Sequence, residues 1–414
     1  MRLLFVVQRY GEGVAGGAET ACRELATRLA GRGHDVEVLT SCAVSYVDWA
    51  NSYPPGSTRE AGVEVHRLPV DRPRDPRFFG PLNGRVVWHS SCSPIFLQRE
   101  WMRSQGPHLP ELVPWLEREA GRFDVVVFVT YLYATTWAGL PVAAGLAPTV
   151  LLPAAHDEPP FWLPLFDLTL RLPSAYAFLT EEEQALVARR ARTSIPSSVI
   201  GLGVDLEVSG DASRFRAAWS VGDRPYLLYV GRLDPGKGSD ELADYFTTYK
   251  ARHPGDLALV VVGDPVKPLP PHPDVVCTGW VDEGVKADAV AGCAALVMPS
   301  YFESFSLVLV EAWAQRRPAL VNGRCDVLAG QVRRSGGGLP YRGYAEFEAA
   351  VELLMSDAGL RDVLGERGRA YTEERYRWDR VLAHTERVLE TAVHFHRRAL
   401  GPLAAPVPSS AEAV

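Results

Sequence analysis

The stretch RPYLLYVGRLDPGKGSDELADYFTTYKARHPGDLALVVVGD, residues 224–264, decides the fold class. An apolar run, RPYLLYVG, leads through a glycine-rich turn into the helical segment SDELADYFTTYK, and a second apolar run, LALVVVGD, follows. Two buried strands that flank a helix are typical of a parallel sheet with right-handed crossovers. The sequence therefore predicts an α/β unit here.

The same alternation continues on both sides of this stretch. Towards the C-terminus we predict strands in DVVCTGW, AALVMPS and PALVNG, and helices in GVKADAVAGC and SFSLVLVEAWAQ. In the first half we predict strands in RLLFVVQRY, DVEVLT, GVEVHRLPV, DVVVFVTYLY, PTVLLPAA and AYAFLT, with helices between several of them. The segment TSIPSSVIGLGVD, punctuated by proline and serines, is predicted to be a linker. Two alternating series predict two Rossmann-like domains, 1–197 and 198–376.

Composition limits the function classes. The net charge of −7 argues against general nucleic-acid binding. The six cysteines, at 22, 42, 92, 277, 293 and 325, have no C-x-x-C or zinc-ligand spacing, which predicts a reduced, cytoplasmic chain. Residues 125–155 carry no charged side chain and are long enough to span a bilayer, but Pro141, Pro148 and Pro153 favour strand, helix and strand instead.

A G-x-G-x-x-G pattern lies at Gly11, Gly13 and Gly16, between a predicted strand and a predicted helix. This pattern can mark dinucleotide binding. No acidic residue clearly ends the second strand, which weighs against a dehydrogenase. A flexible loop at a helix N-terminus and a phosphate or sugar contact both remain open.

GRLDPGKGS, residues 231–239, is similar to a Walker A loop, but Gly238 stands where a hydroxyl should hold magnesium. That difference weakens a P-loop nucleotidase. Arg232 and Lys237 still share one turn after a buried strand and can converge on a diphosphate. The alternative is a solvated basic loop.

SYFESFSLVLVEAW, residues 300–313, holds two carboxylates at a predicted helix start. We expect the helix to open at Ser304 or Phe305, so that the N–H groups of about Phe305 to Leu307 are free for an anion. Glu303 precedes the helix, and Glu311 lies about two turns further on. Carboxylates accept well from the vicinal hydroxyls of a ribose or hexose. Alternatively, Glu303 caps the helix and Glu311 is a surface residue.

These residues resemble a known family. ESFSLVLVE resembles the E-x7-E motif of retaining glycosyltransferases of family 4, which have the GT-B fold, and GRLDPGKG resembles the diphosphate clamp of the same family. The GGAE loop and the HDE sequence at 156–158 resemble its N-terminal half. The resemblance covers most of the chain and implies an α/β GT-B protein with two Rossmann-like domains across a cleft. It also implies that a helix at about 377–399 packs back on the first domain; residues 401–414 are expected to be a disordered tail.

The resemblance implies roles for single residues. Arg232 and Lys237 would neutralise the donor diphosphate, Glu311 would hold the ribose, and Glu303 with the backbone of Ser304, Phe305, Ser306 and Leu307 would hold the donor sugar and distal phosphate. Ser306 stands where members often have glycine. Gly16 and Gly17 would let the N-terminal loop approach the donor. His156 would lie over the sugar near the reacting carbon, or else be a buried structural histidine.

The implied activity is a metal-independent, retaining transfer of a sugar from a UDP- or GDP-sugar to a hydroxyl of a sugar, polyol, lipid-linked or natural-product acceptor, with no cofactor. Tyr131, Tyr133 and Asp157 are candidates for the acceptor side, although the tyrosines also suit a core. Other GT-B chemistry and a nucleotide-binding protein without transfer activity remain alternatives. Arg189, Arg190 and Arg192 suggest a weak peripheral membrane contact. The chain is expected to be a monomer or homodimer.

Overall fold

The computed structural model describes residues 1–90, 92–264 and 269–399. The strands are β1 (Arg2–Val6), β2 (Asp35–Ser41), β3 (Gly56–Glu60), β4 (Val63–Leu68), β5 (Val125–Val129), β6 (Thr149–Leu152), β7 (Ala175–Phe178), β8 (Ser197–Val199), β9 (Tyr226–Val230), β10 (Ala258–Val262), β11 (Val275–Gly279), β12 (Ala295–Met298), β13 (Ala319–Asn322) and β14 (Gly338–Tyr341). The helices are α1 (Gly17–Gly31), α2 (Pro76–Val87), α3 (Ile95–Gln105), α4 (Leu112–Glu119), α5 (Ala134–Ala143), α6 (Glu181–Ala191), α7 (Ala212–Ala218), α8 (Ser239–Arg252), α9 (Glu283–Gly292), α10 (Leu307–Ala314), α11 (Asp326–Ser335), α12 (Tyr344–Ser356), α13 (Ala358–Arg375) and α14 (Trp378–Ala399).

The first half of the chain forms an eight-stranded sheet in the order β3-β4-β2-β1-β5-β6-β7-β8. Every pair is parallel except β3 with β4. The inner strands are apolar and buried along their length, as VVVFV in β5, because helices cover both faces of such a sheet.

The second half forms a six-stranded parallel sheet in the order β11-β10-β9-β12-β13-β14. Strand β9 lies at its centre because YLLYV is apolar and can be buried on both sides. The chain adds β10 and β11 on one side of β9, then returns to place β12 on the other. The predicted α/β fold with two parallel-sheet domains is confirmed.

Several elements differ from the sequence expectation. Strand β3 is polar and mostly exposed, so it carries no apolar signal, and it pairs antiparallel at the edge of the sheet. The predicted linker contains β8, so the first sheet extends to Val199, beyond the expected boundary at 197. Helix α7 also escaped prediction because it is short. Residues 71–120 hold the three helices α2, α3 and α4.

The uncharged stretch at 125–155 folds as β5, α5 and β6, so the expected strand, helix and strand are found. Pro141 lies inside α5 without ending it. Among the residues that the structure describes, no helix combines the length and apolar character needed to cross a membrane.

Helix α14 leaves the second half and returns to the first. Its Glu386 accepts two hydrogen bonds from Arg32, each of 2.9 Å, and lies 3.1 Å from His34. Buried Leu389 and Ala392 join the core shared with β5, β6 and β7. The expected tail at 401–414 lies outside the described residues.

Candidate functional site

The candidate site lies where the order of the second sheet reverses. Strands β9 and β12 are neighbours there, although β10 and β11 separate them along the chain. The loops that follow two such strands diverge and leave a crevice at the carboxyl edge of the sheet, where ligands of open α/β sheets bind. The 231–238 loop follows β9, and the 299–306 loop follows β12. The two predicted charged motifs therefore meet at this crevice.

Lys237 and Glu303, one from each loop, form an ion pair. Lys237 Nζ donates to Glu303 Oε1 at 2.7 Å, and the side chain of Glu303 is only 10% exposed. Burial alone would raise the pKa of Glu303, but the charge and hydrogen bond of Lys237, the hydroxyl of Ser300 and the charge of His156 outweigh it and lower the pKa. Glu303 is therefore a buried carboxylate that stays ionised.

Gly238 explains why the loop after β9 departs from a Walker A sequence. Its φ is 69°, and a Cβ there would lie 2.4 Å from the carbonyl oxygen of Pro299. A residue with a side chain cannot approach the 299–306 loop so closely. The absence of a hydroxyl residue follows from this contact, and the P-loop alternative loses its magnesium ligand at this position.

Helix α10 begins at Leu307, so the prediction that it opens at Ser304 or Phe305 is wrong. Phe305 is buried and packs edge-on against Tyr376, with ring centroids 5.0 Å apart, which holds it in the loop. Ser306 then turns the chain with a φ of 71°, in the left-handed region. The free N–H groups at the helix start are consequently those of Ser306 and the three residues after it, so the predicted range of Phe305 to Leu307 began one residue too early.

Ser306 has two unusual properties. It holds the left-handed conformation without being glycine, which costs about 1–2 kcal/mol. Its buried hydroxyl has no hydrogen-bond partner within the described part of the chain. A buried polar atom without a partner is uncommon and calls for an explanation. Its position, immediately before a helix N-terminus in the crevice, suits an anionic ligand.

Glu311 and Lys286 form a second ion pair beside the first. Lys286 Nζ, from α9, lies 2.9 Å from both carboxylate oxygens of Glu311. Burial would lower the pKa of Lys286, but the charges of Glu311 and Glu283 raise it overall. Glu311 is therefore a partnered carboxylate and not an isolated surface residue.

Arg232 reaches the first domain. Its guanidinium carbon lies 5.1 Å from the ring centroid of Tyr46, and that of Arg9 lies at the same distance from the same ring. Arg9 is fixed in turn by a buried ion pair with Glu19 of α1. Half of the Arg232 side chain stays exposed, with Asp234 3.7 Å away. Tyr46 thus lies between one cation from each half of the chain.

His156 lies at the carboxyl end of β6, on the opposite side of the cleft. Its Nδ1 is 3.5 Å from Glu158 Oε1, and its charge lowers the pKa of Glu303. The backbone before it is held by Glu183, which accepts from the N–H groups of Ala155 and Leu179 at 2.7 Å each. Burial raises the pKa of Glu183 to about 7.

The start of α6 also contacts the site. Thr180 caps this helix by accepting from Glu183 N, and its hydroxyl donates to the carbonyl oxygen of Ser304 at 3.1 Å. Arg334 of α11 hydrogen-bonds both carboxylate oxygens of Glu182. One helix N-terminus of the first domain therefore holds both the His156 backbone and the Ser304 loop.

The other predicted residues are distributed around the first domain. Gly16 and Gly17 are exposed at the start of α1. Tyr131 is buried in the core, and its hydroxyl donates to Glu158 at 3.2 Å. Tyr133 is half-buried and meets Trp49 edge-on at 5.5 Å.

The remaining acceptor-side candidate, Asp157, and two arginines of α6 form ion pairs within the first domain. Asp157 accepts from Arg189 at 2.8 Å and from the indole N–H of Trp162 at 2.8 Å. Arg190 pairs with Asp167. Two of the three arginines on which the membrane prediction rested thus have partners in the protein.

Within the described ranges, three possible metal ligands come together in Glu37, Glu64 and His66. They belong to β2 and β4 of the first sheet, whereas the paired carboxylates of the crevice belong to the second. Glu37 already accepts from His66 at 2.6 Å and from Arg122 at 2.5 Å. This group is therefore better described as a hydrogen-bonded cluster of the first sheet than as part of the crevice.

Sequence reasoning missed Lys286, Tyr46, Glu183 and Thr180. Thr180 and Glu183 do carry a sequence signal, because Thr-x-x-Glu is a capping box. Lys286 and Tyr46 carry no sequence signal, because the partner of each in the site is distant along the chain.

Comparison with known proteins agrees with this geometry. Residues 16–203 match the family described as glycosyl transferase 4-like domain, and residues 224–357 match that described as glycosyl transferases group 1. The chain is 28% identical over 398 residues to the D-inositol 3-phosphate glycosyltransferase of Acidothermus cellulolyticus, an alignment that covers 90% of this chain and 85% of that protein.

Solved structures share the fold at low sequence identity. Sucrose-phosphate synthase of Thermosynechococcus elongatus superposes with a TM-score of 0.71 at 17% identity, over 94% of this chain and 98% of that one. HepE of Anabaena, solved with UDP and glucose, superposes with a TM-score of 0.67 at 17% identity, over 94% of this chain and all (100%) of that one. The two family matches, one in each half, together with the sheet order and the paired charges of the crevice, establish that the chain is a glycosyltransferase of the GT-B fold, of the family 4 type.

Proposed function

We propose that this glycosyltransferase moves a hexosyl group from a UDP- or GDP-sugar to a hydroxyl of a sugar, polyol, lipid-linked or natural-product acceptor, with retention of anomeric configuration and without a metal. The observation that carries the proposal is the pairing of Lys237 with Glu303 at the point where the sheet order reverses, with Glu311 on the helix that follows. Cations suit the phosphates, and carboxylates suit the hydroxyls.

In this proposal each ion pair opens to receive part of the donor. Lys237 and Arg232 turn to the diphosphate, while Glu303 is released to accept from hydroxyls of the sugar. Lys286 stays near the nucleotide, and Glu311 accepts from the ribose. The ion pairs keep the carboxylates ionised and oriented beforehand, which reduces the reorganisation that binding requires.

The proposed reaction breaks the bond between the sugar C1 and the distal phosphate oxygen and forms a bond between C1 and the acceptor oxygen on the same face. The acceptor proton passes to the departing phosphate oxygen. Negative charge grows on the diphosphate as its bond to C1 breaks, so Arg232 and Lys237 stabilise the transition state more than the ground state. His156, near Glu303, would position the sugar.

The test of the donor site is nucleotide binding. UDP or GDP should raise the melting temperature, because a ligand that binds only the folded chain stabilises it. The corresponding nucleosides, which lack the diphosphate, should not. A lack of response to every nucleoside diphosphate would refute the donor site. A nucleotide that binds without any sugar transfer to a panel of acceptors would favour the non-catalytic alternative.

Glu311 has a more specific test. If it accepts from the ribose hydroxyls, the wild type should bind the ribonucleotide about tenfold more tightly than the 2′-deoxy nucleotide, and Glu311→Gln should lose most of this preference. Equal preference in both proteins would contradict the ribose assignment while leaving the diphosphate clamp intact.

The absence of a metal requirement is proposed because Arg232 and Lys237 can offset the diphosphate charge that a divalent ion offsets in other transferases. Full activity in excess chelator supports it, and activity that is lost and then restored by a divalent cation contradicts it. A cytoplasmic monomer or homodimer remains our expectation for the state of the protein.

A further inference from the structure

Tyr46 is held between two guanidinium groups that belong to different halves of the chain. The centroid of its ring lies 5.1 Å from the guanidinium carbon of Arg9 and 5.1 Å from that of Arg232. A cation within about 6 Å of an aromatic centroid is attracted by the negative face of the ring. The reaction proposed above uses Arg232 and gives Tyr46 no role, although Tyr46 is a direct contact between Arg232 and the first domain.

Every nitrogen of the Arg9 guanidinium donates a hydrogen bond within the first domain. Nε donates to Glu19 Oε1 at 2.9 Å, and Nη1 donates to the carbonyl oxygen of Val44 at 2.7 Å. Nη2 donates to the carbonyl oxygen of Ala15 at 3.1 Å and also to Glu19. The side chains of Arg9 and Glu19 are each only 6% exposed. Arg9 is therefore fixed in position, and the carboxylate beside it balances its charge.

The same guanidinium fixes two loops of the first domain. Through Val44 it holds the backbone two residues before Tyr46, and through Ala15 it holds the glycine-rich loop. Gly16 has no room for a side chain beside this ion pair, since a Cβ there would lie 2.1 Å from Glu19 Oε2. Because the backbone before it is anchored in this way, Tyr46 presents its ring to the second domain from a rigid support.

Arg232, on the other side of the ring, is in the opposite situation. Half of its side chain is exposed, and the carboxylate of Asp234, at 3.7 Å, is too far away for a hydrogen bond. Within the part of the chain that the structure describes, its guanidinium contacts Tyr46 and Asp234 and donates no hydrogen bond. An arginine has five N–H donors, so all five remain available to a ligand while the ring limits where the cation can lie.

An aromatic ring is a suitable partner for a cation that has to bind phosphate. A hydrogen-bonded carboxylate would accept from the N–H groups of Arg232 and compete with a diphosphate for them. A ring attracts the cation by its quadrupole and leaves the N–H donors for phosphate oxygens. Repulsion between the two guanidinium groups on the ring is offset, because Glu19 neutralises Arg9.

We propose that Tyr46 is a positioning residue of the transfer reaction, which holds Arg232 where it can meet the donor diphosphate. The proposal rests on the proposed function, because it is there that Arg232 is assigned to the diphosphate. Tyr46 belongs to the first domain and Arg232 to the second, so the diphosphate clamp is complete only while the two halves lie together. Tyr46 thereby links the arrangement of the halves to the stabilisation of the leaving group.

The test measures turnover and binding separately. The probes are UDP-glucose, UDP-N-acetylglucosamine and GDP-mannose, with water as the acceptor, because release of the nucleoside diphosphate then breaks the same bond to C1 and builds the same charge on the diphosphate. Tyr46→Met, which keeps an apolar side chain without a ring, should lower kcat about tenfold. The Kd of UDP or GDP, measured by calorimetry, should change less than about threefold, because Arg232 acts most strongly as the charge develops.

Further variants separate positioning from packing. Tyr46→Phe keeps the ring and should retain kcat within about threefold of the wild type. In an Arg232→Met background, Tyr46→Met should lower kcat by less than about twofold more, because a positioning residue acts only through its partner. Tyr344→Met is the matched control, since this half-buried tyrosine of α12 packs on Tyr245 in the second domain. Tyr46→Leu, which also lacks a ring, replaces Tyr46→Met if that variant does not fold.

Three results would overturn the proposal: Tyr46→Met turns over donor like the Tyr344→Met control, Tyr46→Phe loses as much activity as Tyr46→Met, or the tenfold loss persists in the Arg232→Met background. A loss of nucleotide affinity with unchanged kcat would also overturn it. A wild type that binds no nucleoside diphosphate, or releases none from the three donors, would overturn the proposed function together with this proposal. That failure is recognised because it appears before any variant is measured.

Discussion

Lys237 and Glu303 differ in burial: the carboxylate of Glu303 is more deeply buried than the ammonium of Lys237. The positive charge of Lys237 offsets the tendency of burial to raise the pKa of Glu303. Each residue is therefore needed for the other to be useful. A lysine charge without the carboxylate would lose its orientation, and the carboxylate without the lysine would take up a proton more easily.

Lys237→Met should reduce kcat/KM by about 10²–10³-fold, because it removes the charge that we propose to stabilise the leaving diphosphate. The pKa of Glu303, now governed by burial, should rise, so the acid limb of the pH–rate profile should move to higher pH. Arg252→Met, which breaks a surface ion pair with Glu348 at 2.7 Å, is the control and should behave like the wild type. An unchanged acid limb in Lys237→Met would mean that Glu303 does not set it.

Ser306 offers a test of backbone strain. Because its φ is 71°, glycine should fit this position better than serine, and alanine should keep the strain. We expect Ser306→Gly to exceed Ser306→Ala in free energy of unfolding by about 1 kcal/mol, measured by urea denaturation. Equal stabilities would indicate that the left-handed conformation is not strained here.

Residues of the crevice differ in how far the sequence could identify them. Lys237 and Glu303 lie in the loops that follow two apolar strands, so their place at the carboxyl edge of the sheet could be predicted. Their mutual pairing could not, because it depends on the order of β9 and β12 in space. Lys286 and Tyr46 stand in segments without a motif, and only the folded chain brings them to Glu311 and Arg232.

Among the elements, the buried parallel strands were predictable because each is a short apolar run. The edges were not. Strand β3 is polar because it faces solvent, and β8 holds only three residues after a proline. The start of α10 was misplaced because the apolar pattern already includes Phe305, which packs on Tyr376 as a loop residue.

Glu183, in the first turn of helix α6, holds the backbone before His156 and makes the stability of the fold depend on pH. The pKa of this buried carboxyl is raised from 4.5 to about 7, so the folded chain holds its proton more tightly than the unfolded chain does. Between these two values the folded state binds more protons, and stability must fall as pH rises through that window. Glutamine does not titrate and keeps one acceptor oxygen.

The free energy of unfolding of Glu183→Gln should therefore increase relative to the wild type between about pH 5 and pH 8, by at most roughly 3 kcal/mol. Urea denaturation at the two pH values measures this. Glu117→Gln, at an exposed position of α4, should leave the wild-type pH dependence unaltered. Parallel pH dependence in Glu183→Gln and the wild type would contradict the raised pKa.

At the scale of the whole molecule, the chain passes between its two halves twice, and the two passages lie side by side. Val204 N donates to the carbonyl oxygen of Tyr376 at 2.9 Å. Arg28 of α1 lies over the ring of Trp378, 4.2 Å from its centroid, and pairs with Asp205 at 3.0 Å. A narrow, hydrogen-bonded double crossing is suited to a hinge that brings His156 towards the donor crevice.

Gly203 is closely packed within this double crossing, because a Cβ there would lie 2.2 Å from the ring of Trp378. Gly203→Ala must displace the ring or the crossing segment and so change the angle between the halves. We expect kcat to fall at least about tenfold while UDP, whose proposed site is in the second domain, binds within about threefold of the wild type. Gly255→Ala, where a Cβ meets no atom within 4 Å, is the matched control. A normal kcat in a folded Gly203→Ala protein would show that the double crossing takes no part in the catalytic motion. A parallel loss of UDP binding would instead indicate damage to the donor domain.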